Sequence, residues 1–137
     1  MTTTRVELAW ASGQRFDAAD ASGSSLMLDG DTESGFSPTE TLLSSLGACM
    51  GIDVVNILEK MRVGLSGLSI TVEGERVADP PRYFHRMRLR FRIRGPVPRD
   101  KAERAVKLSF EKYCSVFHTL RNDLDIDTVI ELVEESG

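Results

Sequence analysis

The stretch from about Pro38 to Arg62 constrains this chain more than any other. Ser37 offers a helix N-cap and Pro38 occupies the first helical position, so a helix is expected to start there. Its first half carries Leu42, Leu43, Leu46, Ala48, Cys49, Met50 and Ile52, with little polar surface beyond Ser44 and Ser45. A helix so composed is expected to be buried nearly all round. The small residues Gly47, Ala48 and Gly51 would let another backbone approach closely. After Asp53 the pattern turns amphipathic, with Val54, Ile57, Leu58 and Met61 inward and Asn56, Glu59 and Lys60 outward. The charges on Asp53, Glu59 and Lys60 argue against a segment that spans a bilayer.

The flanking segments read as strands. Residues 5–10 and parts of 14–20 and 25–30 alternate in polarity, with Gly13, Gly23 and Gly30 as turn formers, which predicts three short antiparallel strands. Beyond the helix, residues 68–77 alternate Leu68, Ile70 and Val72 against Ser69, Thr71, Glu73 and Glu75, and Pro80-Pro81 marks a turn. Residues 85–94 then alternate at period two without a break, one face apolar and the other bearing Arg86, Arg88, Arg90, Arg92 and Arg94. A basic sheet face could track phosphates. No aromatic residue interleaves the arginines as base stacking needs, so the face reads as solvated, with Glu73 and Glu75 on an antiparallel neighbour pairing the charge.

A second helix is expected from about Arg99 to Tyr113, with Ala102, Ala105, Val106, Phe110 and Tyr113 on one buried stripe. A short helical segment over 116–121, a last strand over 126–133 and an acidic end complete the chain. The order is βββ-α-ββ-α-β: an α+β domain of mostly antiparallel sheet around a long buried central helix. At 137 residues and 41% hydrophobic content, a single domain over 1–137 is expected. The net charge of −4 gives no electrostatic reason for nucleic-acid binding. The first residues lack a basic segment followed by an apolar one, so no secretory signal is read and a cytoplasmic location, without membrane attachment, is expected. There thiols are kept reduced, and a disulfide is expected only as a transient, catalytic bond.

The sequence holds two cysteines, Cys49 and Cys114, and two histidines, His85 and His118. No metal-ligand spacing joins them, which points away from a zinc site and toward thiol chemistry or inert burial. A mid-helix cysteine taken alone behaves as a small hydrophobe, and apolar burial raises its pKa. The reactive alternative needs a cation near the sulfur and an access path. His118 is a candidate base if it faces the side of Cys114, with a surface or packing role as the alternative. Asp53, four residues after Cys49 on a buried helix, needs a partner such as an arginine or a backbone amide.

The run Pro38-Thr39-Glu40-Thr41-Leu42-Leu43-Ser44-Ser45-Leu46-Gly47-Ala48-Cys49, followed by Tyr113-Cys114-Ser115-Val116 after the second helix, resembles the OsmC/Ohr family of organic hydroperoxide reductases. The likeness is closer to the OsmC-like branch than to Ohr proper. It implies a cysteine-based peroxidase without a cofactor. Cys49 would attack an organic hydroperoxide to give a sulfenic acid, Cys114 would condense with it to a disulfide, and an external dithiol, lipoyl-type in the Ohr branch, would reset the pair. It further implies an arginine, matched by Arg15, and a glutamate beside the reactive sulfur, in an intimate homodimer. In Ohr the acid directly follows the proline; here Thr39 stands there and the acid is Glu40, a rotation of about 100° further along a helix. Glu40 is thus either a site residue or a first-turn acid favoured by the helix dipole. The rival to a peroxidase is a non-catalytic dimeric domain on the same fold that binds a small apolar ligand or senses oxidation.

Overall fold

The computed structural model describes residues 1–134, so part of the acidic end lies outside the described residues. The chain divides into two compact units, Met1–Leu42 and Leu43–Gly137. In the first, β1 (Val6–Ser12), β2 (Arg15–Asp20) and β3 (Ser25–Asp29) form an antiparallel sheet in that order. Gly13, with φ of 53°, closes the β1–β2 hairpin in the left-handed region that glycine adopts at little cost. The loop after β3 is built on the buried Asp29, whose carboxylate accepts the backbone N–H groups of Asp31 (2.9 Å), Glu33 (3.2 Å) and Ser34 (2.9 Å). These bonds hold its pKa below the ordinary carboxylate value.

Helix α1 spans Pro38–Lys60 and starts where the Ser37-Pro38 pair places it. Its first turn is a capping box: the Glu40 N–H donates to Ser37 Oγ at 3.2 Å, and the Ser37 N–H donates to Glu40 Oε1 at 2.9 Å.

In the second unit, β4 (Gly67–Arg76) pairs antiparallel with β5 (Phe84–Arg94), and β5 pairs parallel with β6 (Asp125–Val133). The parallel pair is possible because α2 (Arg99–Leu108), a single π-helical turn (Ser109–Tyr113) and α3 (Ser115–Thr119) form the long crossover it requires. The core joins Leu46, Met50, Val54 and Leu58 of α1 to Met87, Leu89, Phe91 and Ile93 of β5 and to Ala102, Ala105 and Val106 of α2. Each fully buried Leu or Met of that α1 stripe contributes about 1.5–3 kcal/mol.

All-round burial of the first half of α1 does not hold in the single chain, since Ala48 is exposed and Ile52 is 61% exposed. Gly47 and Gly51 do mark a close approach, but to side chains. A Cβ on Gly47 would lie 2.8 Å from Val72 Cγ2, and one on Gly51 would lie 2.8 Å from Ile70 Cδ1. By length and composition α1 could cross a membrane, so the charges on Asp53, Glu59 and Lys60 alone do not exclude that. It packs against β4 and β5 and supplies one side of the core of this unit.

The arginine face is charge-paired, though mainly from the other side. Glu73 and Glu75 stand opposite Arg88 and Arg86 in register, while the ion pairs run to β6: Arg86 to Asp125 at 3.1 Å, Arg88 to Asp127 at 3.0 Å and Arg92 to Glu131 at 4.0 Å. All are half-exposed, where such pairs contribute about 0–1 kcal/mol each.

Candidate functional site: a buried dithiol with a carboxylate

One helical turn of α1 separates Cys49 from Asp53, so both lie on the same side of the helix. Cys114 arrives from the end of the crossover. An uninterrupted α-helix continuing the stripe of Ala102, Ala105 and Val106 would turn Tyr113 inward, as the sequence suggested. The π turn inserts one residue and shifts that phase, as its bond from the Cys114 N–H to the Ser109 carbonyl at 2.8 Å records. Tyr113 is therefore 50% exposed and Cys114 is fully buried.

The result is a compact cluster. The two sulfurs and a carboxylate oxygen of Asp53 all lie within 4.8 Å of one another. Both cysteines are free thiols, Cys49 half-buried and Cys114 at 0% exposure. An S–S bond is about 2.05 Å long, so closure asks the sulfurs to approach by no more than about 3 Å. Ser109, itself fully buried, donates from its hydroxyl to Asp53 Oδ2 at 2.8 Å. Asp53 thus has its partner, and it is neither an arginine nor a backbone amide.

Burial pushes the Cys114 thiol up to about 11. The backbone N–H of Phe117, which donates to the sulfur at 3.4 Å, works against that shift, whereas Cys49 and the charge of Asp53 add to it. Cys114 is therefore a protonated thiol at neutral pH, and Cys49 is the less buried residue of the pair. By spacing the same three donors could close on a soft divalent ion, but Cys114 would first have to lose that strongly held proton.

Ser109 was not singled out in the sequence. It lies three residues after Val106 and four after Ala105, on the apolar stripe of α2, and a hydroxyl in that position needs a buried partner. His118 does not join the cluster: Cys114 is extended (φ −73°, ψ 101°), which breaks the helix, and the imidazole is exposed, edge-on to Phe117 at 5.2 Å. In the first unit Arg15 on β2 donates to Ser12 Oγ at 2.9 Å and Ser34 Oγ at 3.2 Å. Glu40 holds the capping box described above.

The family model described as OsmC-like protein matches residues 30–129, and the chain belongs to that family. Protein YhfA of Escherichia coli is similar, 37% identical over 126 residues that cover 90% of this chain and 94% of that protein. A hypothetical protein from Aquifex aeolicus has a similar structure, with a TM-score of 0.91 at 32% identity, covering 99% of this chain and 100% of that one. The organic hydroperoxide resistance protein OsmC from Legionella pneumophila shares the fold, with a TM-score of 0.72 at 19% identity over 96% of this chain and 98% of that one. Family membership and two adjacent thiols are together consistent with a thiol peroxidase.

Proposed function

We propose that this protein reduces organic hydroperoxides through a Cys49–Cys114 dithiol cycle. The observation that carries the reading is the asymmetry of the pair: two free sulfurs within 4.8 Å, one on a partly buried residue and one on a fully buried residue. The Cys49 thiolate attacks the peroxide and becomes a sulfenic acid as the O–O bond breaks, and the departing alkoxide takes a proton from the medium and leaves as the alcohol. Cys114 then displaces the hydroxyl as water and forms the disulfide, which protects Cys49 from further oxidation. An external dithiol, lipoyl-type in the resemblance, returns both sulfurs to thiols.

Arg15 as the cation that favours the Cys49 thiolate, and Glu40 as the acid that holds the arginine, rest on the family resemblance. So does a homodimer, with support from exposed apolar residues, Ile52 in the second unit and Val6, Leu8 and Trp10 in the first. A reducing, cytoplasmic setting is part of the same reading.

The test is steady-state turnover of cumene hydroperoxide with dihydrolipoamide as reductant. Turnover that disappears in Cys49→Ser, falls in Arg15→Ala and comes from a species of twice the chain mass by light scattering supports each element in turn. A wild-type protein without turnover on any alkyl hydroperoxide or dithiol would sink the peroxidase reading.

A further inference from the structure

We propose that Asp53 is the general base for Cys114, taking the proton from its thiol as that sulfur attacks Cys49, and that Ser109 is the residue that positions the carboxylate. This deepens the peroxidase reading and rests on it for its biological setting. The disulfide step has a difficulty that the site itself creates. Cys114 sits where no solvent reaches it, and a thiol held near 11 carries almost no thiolate at neutral pH. A proton acceptor beside the sulfur removes that difficulty, and among the described residues the cluster contains one, the Asp53 carboxylate within 4.8 Å of both sulfurs.

The arrangement around it suits the task. Ser109 donates to Oδ2 at 2.8 Å, which fixes the carboxylate. The π turn ties the same Ser109 to Cys114 through the backbone at 2.8 Å, so the carboxylate and the thiol are located by one residue. The Phe117 N–H at 3.4 Å meets the negative charge that develops on sulfur. A carboxylate next to a thiol opposes a standing thiolate and still accepts the proton once a bond begins to form. Cys114 is thereby kept unreactive until Cys49 is oxidised.

The step balances as follows. The Cys114 sulfur forms the S–S bond as the S–O bond of the Cys49 sulfenic acid breaks. The Cys114 proton passes to Asp53 and from there to the departing hydroxide, giving water. Among the described residues, the ionisable groups facing Cys114 are Cys49 and Asp53, both on α1, and the hydroxyl of Ser109 does not titrate in this range.

The experiment follows the Cys114 attack without peroxide. An equimolar amount of 4,4′-dithiodipyridine should place one thiopyridyl group on Cys49 with release of one thiopyridone, after which Cys114 attacks that mixed disulfide and releases the second. In Asp53→Asn the second release should slow by about 10²-fold relative to the first. In the wild type, whose fold is not in question, the second release should be nearly independent of pH from about 6 to 8, whereas a thiol losing its proton to hydroxide would speed up about tenfold per pH unit. Ser109→Ala should slow the second release less than Asp53→Asn and keep the flat profile. Equal second-phase rates in Asp53→Asn and wild type, or a tenfold-per-unit rise in the wild type, would overturn the proposal. If both expected results appear while peroxide yields no disulfide, the role of Asp53 stands and the peroxidase reading falls.

Discussion

The sulfurs of the partly buried Cys49 and the fully buried Cys114 lie within 4.8 Å of each other although α1 carries one and the crossover to β6 carries the other. In the proposed dithiol cycle this unequal burial gives the order of events, with Cys49 meeting the peroxide and Cys114 acting on its neighbour.

The same inequality fixes the response to alkylation. Native protein treated with iodoacetamide near pH 8 should take up one equivalent per chain, on Cys49, and a second only after unfolding. The raised value of Cys114 also has a sign for stability. The folded state holds that proton more tightly than the unfolded chain, so the contribution is intact below the ordinary thiol value and is lost as pH rises through about 11. Cys114→Ala should therefore flatten the alkaline limb of the stability curve, as read from urea unfolding at stepped pH.

Gly47 and Gly51 offer a test of how α1 seats on β4. Alanine favours a helix over glycine by about 1 kcal/mol, while forcing atoms into a packed core costs about 1–3 kcal/mol. At Gly47 the new Cβ meets a branch of Val72, stiff at χ1, whereas at Gly51 it meets the far end of Ile70. Gly47→Ala should therefore destabilise the protein by about 1 kcal/mol, with Gly51→Ala close to neutral. Urea midpoints for the two variants give the comparison, and the reverse ranking would contradict this packing.

Asp29 should leave its mark at acid pH. Its folded pKa is depressed by the backbone N–H groups it accepts, so its stabilisation is present above the unfolded carboxylate value and is lost as pH falls through the lower, folded one. Asp29→Asn should lower stability at neutral pH and remove part of the fall below about pH 4. Acid titration followed by Trp10 fluorescence reads the first unit directly.

Much of this architecture was legible because it is periodic. The unbroken alternation of residues 85–94 specified β5, and the Ser37-Pro38 pair specified where α1 begins. What periodicity could not supply were departures from period and contacts between distant segments. The π turn moved Tyr113 outward and Cys114 inward by one inserted residue, a change without a pattern in side-chain chemistry. The arginines found Asp125, Asp127 and Glu131 on β6 because a parallel neighbour is decided by the crossover, not by the strand. Asp53 and Ser109 each stood out of place on an apolar stripe, and reading the two together would have suggested their pairing.

The most direct measurement is peptide mass spectrometry after one equivalent of cumene hydroperoxide is added to the fully reduced protein. The account predicts a Cys49–Cys114 disulfide within the chain, and in Cys114→Ser a sulfenic acid that accumulates on Cys49 and goes on to sulfinic acid only with a second equivalent of peroxide. Finding Cys49 unmodified after excess peroxide would contradict it.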